Sequence, residues 1–255
     1  MPRVTACQIQ RMPASSPRRL TSHRLSWRGT ARILASVLAP PRCALCGGVG
    51  QWLDEPWGLD LCSYCELACA RWQGQPLGMD TAFCLFRYEP PVDQMIARLK
   101  FHEELVFARV FGTLFARAWL EARCELPECI VPLPLHRARY RERGFCQTTE
   151  VARHIARRLH DAQGRRIAVR SDLLRRVRAT RAQSGLGAGE RAANLRGAFA
   201  VSAATNMPRH VALLDDVLTT GNTAKAAITA LRDAGVAQVE LWCCAHAPRY
   251  DQQAI

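Results

Sequence analysis

The stretch 211-VALLDDVLTTGNTA-224 decides how this chain is read. Val211 to Leu214 form a short apolar strand that ends in two adjacent carboxylates, Asp215 and Asp216. Thr219, Thr220, Gly221, Asn222 and Thr223 follow as a loop, and Ala224, Ala227, Ile228 and Leu231 then recur at helical spacing. A strand that turns through such a loop into a helix N-terminus makes an anion site, because free N–H groups, the helix dipole and hydroxyl donors converge on one point. Gly221 lets the backbone come close to that anion. Two acids beside the cradle would repel a bare phosphate, but they suit sugar hydroxyls or a phosphate-bound Mg²⁺. A phosphorylated ribose satisfies both halves. An ordinary strand, turn and capped helix would use one Asp and one Thr, leaving the second acid, the other threonines and the glycine without a purpose.

Upstream, strands alternate with helices. TAFCLFRY (81–88) reads as a strand, and Val92, Met95, Ile96 and Leu99 place a helix that ends at Lys100. A second helix is expected from about 105 to 120, a strand ending at Ile130-Val131, and an amphipathic helix over 147–160. Beyond the quoted stretch come the helix 223–234 and a last strand near 238–245. This alternation predicts an α/β fold with a parallel or mixed sheet and flanking helices. Residues 1–30 read as a basic tail, 31–80 as a small N-terminal module and 81–255 as the α/β domain.

The small module carries Cys43-x-x-Cys46 and Cys62-x-x-Cys65, two pairs separated by fifteen residues. Each pair can place two thiolates on one turn, and two such knuckles complete a tetrahedral shell around a structural Zn²⁺. A segment of that length is too short for its own core, and a metal would stabilise it. Buried or redox-active thiols are the plain alternative, and Cys69, four residues after Cys65, is an alternative ligand.

The 255 residues carry a net charge of +13, from 35 basic and 22 acidic residues. Seven of the arginines lie in residues 1–40, which hold no acid, so residues 41–255 keep a milder excess. Clustered arginines can bind nucleic acid through its phosphates, and a folded core that binds a small anionic ligand explains the excess equally well. No apolar stretch reaches the roughly 20 residues of a membrane-spanning helix, so no membrane insertion is expected. With no secretory pattern at the N-terminus and metal-spaced cysteines, the expected location is the cytoplasm.

Several further segments match one family in order: ILASVLAPPRCALC (33–46), ARLKF (97–101), VPLPLHRARYRERGFCQ (131–147), Thr180, Gln183, ERAANLRGAF (190–199) and LLDDVLTTGNT (213–223). The chain resembles the ComF family, competence-associated proteins with a zinc-ribbon-like N-terminus and a type I phosphoribosyltransferase domain. The match covers roughly residues 31–246, and Cys146 stands where the family usually has Asn before Gln.

The resemblance implies a ligand, 5-phosphoribosyl-1-pyrophosphate (PRPP). Asp215 and Asp216 would hold its ribose hydroxyls, acting as the catalytic acids, and Thr219, Thr220, Gly221, Asn222 and Thr223 would cradle its 5-phosphate. Arg137 and Arg143, in the arginine-rich loop 132–143, would face the pyrophosphate, and a Mg²⁺ ion would accompany it. A solvated basic helix start explains the same arginines. Lys100 would reach a phosphate or balance its own helix C-terminus, and Arg175–Arg191 resembles a hood over the site. The lone His136 near that loop is more often structural than catalytic. The implied reaction is substitution at the anomeric carbon of ribose, with no mark of the acceptor. The competing reading is a non-enzymatic protein that handles single-stranded DNA, or works with competence-machinery proteins, through its zinc module and basic surface.

Overall fold

The computed structural model describes residues 41–51, 58–74, 81–122, 124–178, 197–202 and 206–247. The tail 1–30, the apolar segment 31–39, Thr180, Gln183 and most of the expected hood, 179–191, lie outside these residues. The chain divides into two compact units, Met1–Ala68 and Cys69–Ile255.

In the first unit, the helix α1 (Ser63–Leu67) follows the second cysteine pair. Isolated antiparallel bridges join Arg42 to Val49 and Gln51 to Leu59. The Gln51 amide donates to Glu66 Oε2 at 2.8 Å and to the Leu61 carbonyl at 3.2 Å, tying one bridge to α1.

The second unit runs β1 (Ala82–Arg87), α2 (Val92–Phe101), α3 (Val106–Ala122), β2 (Cys129–Pro132), α4 (Arg137–Arg143), α5 (Gln147–Gln163) and β3 (Ala168–Val169). It continues with β4 (Leu174–Arg176), β5 (Phe199–Val201), β6 (His210–Leu218), α6 (Asn222–Asp233) and β7 (Gln238–His246). Five strands form one sheet in the order β1-β7-β6-β2-β3, with every neighbouring pair parallel. β4 and β5 form a separate antiparallel pair.

A parallel sheet needs cover on both faces. On one side, Phe83 and Trp242 meet Phe115 and Trp119 of α3 in edge and tilted ring contacts of 4.6 to 5.1 Å between centroids. On the other, Val211, Leu213, Val239, Leu241 and Cys243 pack with Ala224, Ala227 and Leu231 of α6. β6 extends past the expected strand 211–214, because the backbone of 215–218 continues its ladder against Cys243, Ala245 and His246 of β7. Asp215 and Asp216 therefore belong to the strand itself, and strand alternation sends their side chains to opposite faces.

The helices α3 and α5 pack against each other, and the buried Arg158 Nε donates to Thr113 Oγ1 at 3.1 Å across their contact. Gly112 makes that approach possible, since a Cβ there would collide with the His154 Cβ and come within 3.1 Å of the backbone of His154 and Ile155. Alanine normally stabilises a helix interior by about 1 kcal/mol over glycine, but here the collision wins. Gly112→Ala is expected to cost about 1–3 kcal/mol in urea unfolding. A variant as stable as the parent would show that α3 and α5 separate freely.

Candidate functional site

β6 carries the two acids to the carboxyl edge of the sheet, where parallel α/β folds place their ligand sites. Asp216 is only 7% exposed. Its Oδ1 accepts from Lys100 Nζ at 2.7 Å, and its Oδ2 accepts from Gln147 Nε2 at 2.5 Å. Lys100 comes from the last turn of α2 and Gln147 from the first residue of α5. A buried carboxylate requires such partners, and here one is an ion pair. Lys100 thus meets Asp216 across the sheet edge, in addition to standing at its helix C-terminus.

Asp215 lies half-buried and accepts from the Asp216 backbone N–H at 2.8 Å. Burial and the Asp216 carboxylate push Asp215 up to about 7, against the pull of Lys100 and Arg176. Burial lowers the Arg176 guanidinium, and so does the nearby charge of Arg139, while Asp215 acts in the opposite sense. Asp215 therefore lies within the electrostatic reach of Arg176.

Past β6, Thr219 is exposed and Thr220 half-buried. Gly221 takes φ +72°, a left-handed conformation that favours glycine, and occupies the N-cap of α6. Glycine has no side chain with which to cap the helix, so the N–H groups of its first turn have no side-chain acceptor from that position. Asn222 and Thr223 open the helix and are half-buried.

The arginine-rich loop is mostly helix. α4 spans Arg137–Arg143, with the His136 ring accepting from the Ala138 N–H at 3.3 Å, so His136 serves as a cap. Arg137 is exposed in the first turn. Arg143 turns inward: its Nη1 donates to Gln147 Oε1 at 2.5 Å and its guanidinium stands 5.5 Å over the Phe101 ring. Cys146, in place of the family's usual Asn, lies 3.1 Å from Thr148 Oγ1, and Thr148 in turn donates to the Leu133 carbonyl at 2.8 Å. Sequence reasoning assigned Gln147 no role. Its signal was a polar side chain at the head of the apolar stripe Val151, Ile155 and Leu159. A cavity of about 400 Å³ lies at the opposite, amino edge of the sheet, beside Glu128, Arg170 and Arg209, away from these residues.

In the first unit, Cys43, Cys46, Cys62 and Cys65 bring their sulfurs within 4.8 Å of one another. The Cys46 and Cys62 sulfurs are 3.7 Å apart. Zn–S bonds of about 2.3 Å in a tetrahedron separate sulfurs by roughly 3.8 Å, so the four thiols fit a structural zinc ion. The Cys65 N–H donates to Cys62 Sγ at 3.4 Å, as expected of a metal knuckle. Burial works to raise the Cys43 thiol, but backbone donors of Cys46, Cys62 and Leu45 outweigh it and bring the thiol down to about 6. Burial and the neighbouring Cys62 push Cys65 up. Cys69 belongs to the second unit, where its Sγ lies 4.0 Å from Met95 Sδ. Among the described residues no other cluster of His, Cys, Asp and Glu has this arrangement. Asp216 has its two oxygens engaged by Lys100 and Gln147, and Asp215 lies on the other face of the strand.

The second unit is thus a parallel α/β sheet with a glycine-capped helix and two adjacent acids at its carboxyl edge, and the first carries four cysteines that could hold a structural zinc ion. No family model matches the chain. It is 30% identical over 213 residues to competence protein F of Haemophilus influenzae, covering 81% of this chain and 85% of that protein. It is 31% identical over 241 residues to the DNA utilization protein YhgH of Salmonella typhimurium, covering 93% and 95%. YhgH of Escherichia coli K12 is 31% identical over 185 residues, covering 71% and 78%. The chain belongs to the ComF family of competence protein F and YhgH. Among the described residues, no helix is long and apolar enough to cross a membrane.

Two outcomes test this geometry. Purified protein is expected to hold about one equivalent of zinc by elemental analysis, and Cys62→Ser to hold less than half of that. Asp215 titrates near 7 rather than near its ordinary 3.8. Between those values the folded chain keeps a proton that the unfolded chain has lost, so this group's contribution to stability falls as pH rises. Asp215→Asn removes that loss. Its Tm relative to the parent is expected to rise between pH 5 and pH 8, and an offset independent of pH would contradict the assignment.

Proposed function

We propose that this protein binds PRPP as a phosphoribosyltransferase-like member of the ComF family, acting in the handling of DNA taken up by the cell. The β6–α6 junction carries the reading. Backbone N–H groups at a glycine-capped helix start, with Thr219, Thr220 and Thr223 beside them, suit a 5-phosphate. Asp215 suits the ribose hydroxyls as an acceptor. Asp216 keeps lone pairs for a hydroxyl beyond those used by Lys100 and Gln147. Arg137 and Arg139 on α4 supply positive charge for the pyrophosphate. Mg²⁺ would enter with that pyrophosphate.

The chemistry is substitution at the anomeric carbon, with charge spreading into an oxocarbenium-like ribose. Positioning and electrostatics supply the rate, and no side chain needs to attack. The names of the relatives, competence protein F and DNA utilization protein, support a setting in DNA uptake and use.

A second reading has its own observation. Phe101 and Tyr140 are 72% and 51% exposed and stand among Arg137, Arg139, Arg141 and Arg143. Exposed rings between cations suit stacked bases and a phosphate backbone, as in single-stranded DNA.

Calorimetric titration separates the readings. Saturable PRPP binding in magnesium buffer, lost in Asp215→Asn/Asp216→Asn, supports the first. Absence of PRPP binding by folded, zinc-loaded protein contradicts it. Single-stranded DNA affinity that falls steeply with salt, unaffected by Asp216→Asn and lost in Phe101→Ala/Tyr140→Ala, supports the second.

A further inference from the structure

We propose that Gln147 is a positioning residue for this site, tying the Asp216 carboxylate to the arginine helix α4 through a single side-chain amide. The inference rests on the PRPP reading and adds a residue to it. Gln147 is 4% exposed, and both ends of its amide are used. Its Nε2 donates to Asp216 Oδ2 and its Oε1 accepts from Arg143 Nη1, each at 2.5 Å. The two ends of a side-chain amide let it donate to an acid and accept from a guanidinium at once. A carboxylate at this position would face Asp216 as a like charge, and an apolar side chain would strand both partners.

The tie matters because α4 buries no residue of its own. Hydrophobic packing therefore does not hold the helix. Its entry is capped by His136 and its exit turns through Gly144, a left-handed C-cap. Between α4 and the body of the domain, Arg143 reaches inward to Gln147 and lies over Phe101. Arg137 and Arg139 are thus presented to the site by a helix whose inner anchor is Asp216, reached through Gln147. Arg143 acts through Gln147 and Asp216, as a partner within the protein, while the exposed arginines of α4 meet the ligand. Lys100 closes the same relay from the far side of Asp216.

The test combines melting and PRPP titration on the full chain. Gln147→Leu and Arg143→Met are each expected to weaken PRPP binding about tenfold. Because both act through one relay, the double variant should be about as weak as either single variant. A merely structural role would not give the second expected result. Gln147→Glu should lower Tm by placing a second acid against Asp216, and adding Asp216→Asn should restore it, since the amide at 216 then donates to the carboxylate at 147. The proposal is overturned if Gln147→Glu leaves Tm unchanged, if Asp216→Asn fails to rescue it, or if the losses for Gln147→Leu and Arg143→Met multiply. A parent that binds no PRPP while the rescue holds overturns the proposed function, and with it the positioning role, leaving Gln147 as a structural tie.

Discussion

The candidate site depends on one carboxylate. Asp216 is almost fully enclosed within a parallel sheet, where an unpaired charge would be prohibitive. Lys100 and Gln147, far from it in the chain, satisfy its two oxygens and so bring the end of α2 and the start of α5 to the edge of β6. The same strand geometry puts Asp215 on the opposite face, beside the charge of Arg176, with its carboxyl near neutrality. Two adjacent identical residues thereby acquire different tasks. One is a buried carboxylate that draws distant elements together, and the other is an acid whose proton is held more tightly than usual.

The cysteine unit solves a different problem by a comparable device. Its described residues include few fully buried apolar side chains, among them Leu59 and Leu61, so hydrophobic burial alone is a weak source of stability for a segment of this size. Four sulfurs gathered within 4.8 Å of one another could hold a zinc ion, whose bonds would replace a core.

Much of this was legible in the sequence. Periodicity located α2, α5 and α6 within a few residues, because each buries one face, while α3, buried nearly all round, was placed by its apolar run, and the spacing of Cys43, Cys46, Cys62 and Cys65 is itself a ligand geometry. The acid pair and the loop after it were readable since a strand, a turn and a helix start are local features. Strand length was less legible: β6 runs on to Leu218 because β7 continues the ladder there, and a partner strand leaves no mark on charged residues. The partners of Asp216 were not legible, since Lys100 and Gln147 meet it only through the tertiary fold. Lys100 read equally well as a phosphate contact or a helix-end charge. α4 read as a loop because its arginines show no apolar stripe, and in the structure it indeed buries nothing.

The most direct measurement is a crystal structure of the zinc-loaded protein with PRPP bound. The 5-phosphate is expected at the start of α6, accepting from backbone N–H groups near Gly221, with the ribose hydroxyls on Asp215 and the pyrophosphate toward α4. PRPP density elsewhere, or a phosphate that leaves the α6 N-terminus untouched, would contradict this placement.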